Sequence, residues 1–459
     1  MLLLLAFQSQ LQSDLNSVLE KPNLKGAIVA AIATRSDGTV LFERNSDLRV
    51  VPASNQKLLT AAYALSTLGP DYRPQTRVWK EKDRLVVEST GDPMLTYEQL
   101  VDARKKLGIV RSMPVRVKQA YAPGIPPSWE LDDLPNKYAA PVTAFTVNRG
   151  SFELWADNSK AVLEPESFGV RITRAPGKDR SIEYDPFAGT LRITGDVPKT
   201  RTRLDTLALK RPDQAAASVL AGAIAQTDSV PTTSPDLVIE GPSLREIVKE
   251  CLVRSDNNLA EHLLLMAASK EGPLGRQPYD AATKRLKEFL VKRVGVSESD
   301  VRPYDGSGMS RHNLVTARAY AQLLRWGRSQ PGWEIWPELM ASPGKGTLNN
   351  RLQGSSFKGK TGTLDLVSSL SGYITSKDGQ PVVLSIILNH YLGSAADARA
   401  VADEFVRKIE STELGNGTLL DSQRRHEGPF SLAVHSTPDG DRIYGSRGHR
   451  RAPLAGPHP

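Results

Sequence analysis

The chain has 459 residues, 39% hydrophobic and 24% charged, with a formal charge of +8. That composition suits a soluble globular protein with apolar material for two or three cores, and no stretch reaches the length of a membrane span. The positive balance favours an anionic polymer as partner; no DNA or RNA module accompanies it, so nucleic acid is the weaker reading.

Residues 1–7, Met-Leu-Leu-Leu-Leu-Ala-Phe, read as the remnant of a secretory apolar region, short and without the basic residues that precede one; a start codon further upstream would explain it. An amphipathic segment follows over 11–19. Ser36-Asp-Gly38 then links a strand over 27–33 to another over 40–44 as a hairpin. Ser54 opens a helical pattern in which Leu58, Ala61, Leu65 and Leu68 recur on one face, stopped by Gly69 and Pro70. Between about 76 and 205 the pattern changes to short β-rich runs, at 84–87, 115–120, 144–155, 170–174 and 190–194, divided by Pro, Gly and Asp. Ser243-Leu-Arg-Glu246 after Pro242 reads as a capping box, and the helix it starts ends at Ser255-Asp-Asn257, an inter-helix corner. A strand series follows at 360–364, 369–374 and 382–388, with Ser376-Lys-Asp-Gly379 as the turn between the last two. Val401, Phe405 and Ile409 mark one face of a final helix. Residues 413–459, rich in Gly, Pro, Ser and Arg, read as a solvated tail, disordered from Thr437 onward.

Three motifs on these elements carry chemistry. Ser54-Asn-Gln-Lys57 places a hydroxyl and an amine three positions apart, hence on one helix face, where the first turn also offers free backbone N–H groups. The S-x-x-K spacing recurs at Ser342 to Lys345 and Ser355 to Lys358, but both copies fall on loops. Ser255-Asp-Asn257 by itself could be no more than caps and turn formers. Lys360-Thr-Gly362 by itself could be an edge strand guarded by a charge. Their conjunction, a helix-borne serine, a polar corner and a strand-borne Lys-Thr-Gly in that order, describes an acyl-transfer machine with a serine nucleophile.

With these motifs the chain resembles the penicillin-recognising serine enzymes. The flanking strings Val51-Pro-Ala-Ser54, Gly91-Asp-Pro-Met-Leu95, Tyr304-Asp-Gly-Ser-Gly-Met-Ser-Arg311 and Leu370-Ser-Gly-Tyr373 narrow the resemblance to the low-molecular-mass class C penicillin-binding proteins, the D-Ala-D-Ala carboxypeptidases and endopeptidases of peptidoglycan. It runs from about residue 20 to about residue 410. Spacing agrees: 201 positions separate Ser54 from Ser255, against 105 between Ser255 and Lys360. That leaves room for an inserted module of about 150 residues. The expected fold is an α+β, β-lactamase/transpeptidase-like domain from residues 8–75 and 243–412, with an antiparallel sheet flanked by helices. A β-rich accessory insertion over 76–242 interrupts it.

The resemblance implies roles residue by residue. Ser54 is the nucleophile and Lys57 the general base, with burial and the second cation Lys360 lowering the Lys57 pKa. The backbone N–H groups of Ser54 and Thr363 form the oxyanion hole. Ser255 relays a proton to the leaving D-alanine with help from Lys57 or Lys360, Asn257 clamps the substrate amide, and Thr361 with Lys360 holds the terminal carboxylate. Asp133, where the insertion overhangs the cleft, meets the free amine of a peptidoglycan side chain. Peptidoglycan peptides are the expected substrates, β-lactams the expected inhibitors, and the space outside the cytoplasmic membrane the expected location.

Other residues carry plainer readings. Asp305 and Ser307 form a turn or a cleft wall, Asp92 a structural turn, and Cys251, the only cysteine, a buried small hydrophobe. The seven histidines are dispersed and no metal or cofactor motif is present, so no cofactor is expected. Two alternatives stay open: a serine β-lactamase, for which no deacylating glutamate motif is visible, and a catalytically silent scaffold that binds wall peptides.

Overall fold

The computed structural model describes residues 2–165 and 169–415. Helix α1 (Leu2–Leu19) leads into a hairpin of β1 (Ile28–Arg35) and β2 (Val40–Arg44), then α2 (Gln56–Leu68). The next stretch holds β3 (Gln75–Lys80), β4 (Leu85–Ser89), α3 (Tyr97–Lys106), β5 (Val115–Gln119), β6 (Ser151–Asp157), β7 (Lys160–Glu164), β8 (Arg171–Ala175), β9 (Ser181–Asp185), β10 (Thr190–Thr194), β11 (Thr202–Ala208), α4 (Pro212–Leu220), β12 (Ile224–Gln226) and β13 (Leu237–Glu240). The chain then returns through α5 (Leu244–Arg254), α6 (Asn257–Glu271), α7 (Pro278–Phe289), the short pair β14 (Val301–Arg302) and β15 (Leu314–Val315), and α8 (Ala317–Ser329). It closes with β16 (Lys358–Leu364), β17 (Val367–Thr375), β18 (Pro381–Asn389) and α9 (Ala395–Glu410).

The first hairpin does not stand alone. The strand order β16-β17-β18-β1-β2 sets β1 against β18, Ile28 opposite Asn389, so both ends of the chain build one antiparallel sheet. Successive side chains of a strand point to opposite faces, and here both faces are buried. On one, Val29, Ala31 and Ala33 pack with Leu11 and Leu15 of α1 and with Val401, Phe405 and Ile409 of α9. Phe42 of β2 meets Phe405 edge-on at 5.6 Å between centroids. Burying each such side chain stabilises the fold by about 1.5–3 kcal/mol. On the other face, Ala30 and Ile32 pack into a helical lobe that includes Leu58 and Tyr63 of α2, Leu252 of α5, Leu263 of α6 and Leu323 of α8.

Residues from Val78 to Ile239 supply a separate apolar cluster, among them Val87, Leu100, Val117, Ala216 and Leu220. It fills a mixed sheet of order β12-β5-β4-β3-β13 with α3 and α4, beside two three-stranded sheets, β11-β6-β7 and β8-β10-β9. The β-rich expectation for this stretch therefore omits two helices. The strand expected over 144–155 starts only at Ser151, because Asn148 and Arg149 both have positive φ, 50° and 57°, which stops an extended run. The tail expected over 413–459 lies outside the described residues beyond Gly415.

Candidate active site

Ser54 sits in a 3-10 turn, Ala53–Asn55, immediately ahead of α2, rather than inside the helix proper. The sheet holds that turn on several sides. Asn389 at the end of β18 exchanges hydrogen bonds with the Val51 backbone at 2.8 and 3.0 Å. From β17, the Ser369 hydroxyl donates to the Pro52 carbonyl and Ser371 accepts from Asn55, each at 2.7 Å. Glycine is required at two neighbouring positions. A Cβ on Gly362 of β16 would lie 2.2 Å from Ser369 Oγ and 3.0 Å from the Ser54 nitrogen, and one on Gly308 would lie 1.9 Å from the Ala53 carbonyl oxygen. The Lys-Thr-Gly strand thus runs close against the Ser54 backbone N–H.

Lys57 is fully buried. Its amine reaches Ser54 Oγ at 2.9 Å, Asn257 Oδ1 at 2.7 Å and the Ser307 carbonyl at 2.7 Å. Among the described residues no carboxylate bonds to it. Burial lowers its pKa, opposed first by Cys251 and then by Asp305, Glu261 and Asp256. The Cys251 thiol is itself pushed up to about 12 by burial, so it is neutral, and with Glu261 raised to about 8 the counterweights at neutral pH are Asp305 and Asp256. An amine has one lone pair when neutral; with two carbonyl-type acceptors taking its N–H groups, that lone pair is left facing the Ser54 hydroxyl.

Across the cleft Lys360, also fully buried, donates to Ser255 Oγ at 2.8 Å and to the Thr361 carbonyl at 2.6 Å. Burial holds its pKa well below the ordinary lysine value, and the neighbouring Lys57 lowers it further. Ser255 occupies the left-handed region, φ 61°, at the end of α5, and Asp256 caps α6 by accepting from the Leu259 N–H at 3.0 Å. Thr361 donates its hydroxyl to Thr347 at 2.7 Å, and Thr363 is exposed beyond it on β16.

Of the two amines expected to assist Ser255, the structure sets Lys360 against it, because the corner turns the hydroxyl toward β16. Asn257 bridges Lys57 and, through Nδ2 at 3.1 Å, the Tyr138 carbonyl, which leaves one N–H and one acceptor lone pair for a substrate.

Asp305 and Ser307 turn out to be both turn and wall. The buried Asp305 carboxylate accepts from the N–H groups of Gly308 and Ser310, from Asn313 and from the Trp129 indole. Beneath the same loop Glu261 accepts from the Gly306 and Ser307 N–H groups at 2.9 and 2.8 Å, which fixes the carbonyl that receives Lys57. Burial raises the Glu261 pKa to about 8, and Asp305 adds to the rise. Glu261, Thr347, Tyr138 and Trp129 are absent from the motif reading. A lone carboxylate within the apolar run of α6 was the available signal for Glu261. Asp92 is a turn former, accepting from the Met94 N–H at 2.9 Å.

Asp133 ends a 3-10 turn over Leu131–Asp133 and accepts from the Tyr138 hydroxyl at 2.8 Å. Tyr138 is the residue whose carbonyl holds Asn257, so Asp133 stands two links from the corner. A cavity of about 530 Å³ lies there, lined by Lys137, Tyr138, Arg149, Ser255, Asp256 and Asn257 among others. Among the described residues no group of three or more His, Cys, Asp or Glu side chains is placed to hold a metal ion.

Known proteins share this arrangement of chain. The profile of a family described as D-Ala-D-Ala carboxypeptidase 3 (S13) matches residues 11–411. A D-alanyl-D-alanine carboxypeptidase of an Actinomadura species is 28% identical over 90% of this chain and 89% of its own. Penicillin-sensitive carboxypeptidase A of Dictyostelium discoideum is 23% identical over 83% of this chain and 86% of its own. The crystal structure of penicillin binding protein 4 from Haemophilus influenzae superposes with a TM-score of 0.73 at 21% identity, over 86% of this chain and 98% of that one. A second structure of that protein, complexed with a β-lactam, gives 0.67 over the same shares.

Proposed function

The chain belongs to the D-Ala-D-Ala carboxypeptidase 3 (S13) family, and from that premise we propose that Ser54 performs its reaction, cleaving terminal D-Ala-D-Ala bonds of peptidoglycan stem peptides through an acyl-enzyme. The observation that carries this reading is the Lys57 amine, buried, without a carboxylate hydrogen-bond partner among the described residues, and 2.9 Å from Ser54 Oγ.

Lys57 in its neutral form takes the Ser54 proton as Oγ attacks the carbonyl of the penultimate D-alanine. The backbone N–H groups of Ser54 and Thr363 receive the developing oxyanion, each worth about 3 kcal/mol. The C–N bond breaks as the leaving amine takes the Ser255 proton, and the proton that Lys57 gained from Ser54 replaces it, which returns Lys57 to its neutral form; Lys360 orients Ser255 along the 2.8 Å hydrogen bond between them. Lys360 and Thr361 hold the terminal carboxylate. The remaining N–H of Asn257 holds the backbone before the scissile bond, and Asp133 meets a free amine of the diamino acid. Water then hydrolyses the ester.

Cross-linked peptides, which present the same D-Ala carbonyl, and β-lactams are further acylating substrates on this reading. The buried carboxyls Glu261 and Asp305 are both occupied by backbone N–H groups of one loop. That favours slow deacylation over β-lactamase activity. The substrate places the enzyme outside the cytoplasmic membrane; no helix among the described residues is long and apolar enough to cross one. Release of D-alanine from a pentapeptide ending in D-Ala-D-Ala tests the assignment. Wild type should release one equivalent per peptide and Ser54→Ala none; release by the variant at the wild-type rate would remove Ser54 from the mechanism.

A further inference from the structure

The Ser255-Asp256-Asn257 corner is not held by its own helices alone. Arg149 reaches it from the segment between β5 and β6, pairing with Asp256 at 3.0 Å and with Glu250 of α5 at 3.1 Å. Its side chain is only 19% exposed, and that of Asp256 13%, so this is a largely desolvated pair, as Arg351 with Asp403 is. The backbone that presents it is fixed. Asn148 donates its N–H to the Leu95 carbonyl at 2.9 Å, and its side chain accepts from the Tyr97 N–H at 3.0 Å. Arg149 itself stands in the left-handed region, φ 57°. Glu250 has a second cation, Arg254, at 2.8 Å. Asp256 has none but Arg149 among the described residues.

We propose that Arg149 is a positioning residue of the acylation site, by which the inserted segment holds the Ser255-Asp256-Asn257 corner in place and offsets the charge of Asp256 beside Lys57. This rests on the reading of Ser54 as nucleophile and Lys57 as base.

Two consequences follow from the geometry. Asp256 Oδ1 caps α6 while Oδ2 takes the guanidinium, so the carboxylate is oriented at both ends. The residues on either side, Ser255 and Asn257, contact Lys360 and Lys57. The second consequence is electrostatic. The charged and titratable groups facing Lys57 are Cys251 from α5, Asp256 from the corner, Glu261 from α6, Asp305 from the loop after β14 and Lys360 from β16. Cys251 is neutral, Glu261 with its pKa raised to about 8 carries little charge at pH 7, and Asp305 is held by the N–H groups of Gly308 and Ser310. Asp256 is the one whose charge is offset by a cation from outside the lobe. Removing Arg149 leaves that charge free to favour the Lys57 ammonium, which cannot act as base, and acylation would then need a higher pH.

The test is the rate of Ser54 acylation by a fluorescent penicillin, followed on the full chain from about pH 5 to 10. Arg149→Ala should move the rising limb upward by about one pH unit, making acylation roughly tenfold slower along that limb and restoring it at high pH. Arg149→Lys should move it less. Asp256→Asn keeps a good helix cap while removing the charge, so its limb should move downward. A uniform slowing of Arg149→Ala at every pH, or a limb that stays in place, would overturn the proposal. Should Arg149→Ala not fold, Asp256→Asn decides alone, a downward shift supporting the proposal and an unmoved limb overturning it. Failure of the wild type to acylate at Ser54 would instead overturn the underlying assignment.

Discussion

The seam between the sheet and the helical lobe and the segment from β3 to β13 treat cations in opposite ways. In the segment, Arg203 pairs with Glu153 and Arg201 with Asp157, all of them at least a third exposed. At the seam, Lys57 and Lys360 are wholly buried, and their hydrogen bonds go to hydroxyls, an amide and backbone carbonyls. Exposed ion pairs contribute little to stability, whereas a buried amine without a counter-ion is driven toward its neutral, basic form. The difference teaches where to look for chemistry: at buried amines whose hydrogen bonds go to neutral groups.

Lys57→Ala should have the largest effect, slowing acylation by a fluorescent penicillin by about 10³- to 10⁴-fold, in the upper range for a positioned base. Wild-type acylation should rise with pH along a limb set below the ordinary lysine pKa, since only the neutral amine takes the proton and burial favours that form. A limb at the ordinary lysine value would erase the contrast between the regions. Glycine offers a second comparison. Gly308→Ala drives a Cβ into the Ala53 carbonyl at φ +86°, whereas Gly124→Ala, at φ +78° in the segment, meets nothing within 4 Å. Denaturant unfolding should show Gly308→Ala costing about 3 kcal/mol with acylation lost, and Gly124→Ala costing about 1 kcal/mol with acylation intact. Smallest of all, Arg203→Ala should change stability by no more than about 0.5 kcal/mol and leave acylation untouched. A large effect there would mean that exposed pairs in the segment support the site.

Much of the seam was legible because its signals are local. The Ser36-Asp-Gly38 and Ser376-Lys-Asp-Gly379 turns announce hairpins, and the Ser255 and Lys360 motifs lie on the corner and strand their neighbours predict, with Ser54 in the turn just ahead of its helix. What escaped has no short-range signature. Glu261 and Ser307 meet across 46 positions and Asn257 and Tyr138 across 119, contacts fixed only by the packing of α6. Arg149 lies 107 positions from Asp256. In the segment, α3 did carry a capping box, Thr96 with Gln99, and α4 a proline at its first turn before Ala215, Ala216 and Ala217. Those signals were outweighed by the density of short alternating runs around them.

The most direct measurement is the intact mass of the full chain after mixing with benzylpenicillin, followed over hours beside Ser54→Ala. A single penicilloyl adduct that persists in the wild type and is missing in the variant is the predicted result. Rapid consumption of penicillin without a lasting adduct, or an adduct on Ser54→Ala, would contradict Ser54 as the slowly deacylating nucleophile of this seam.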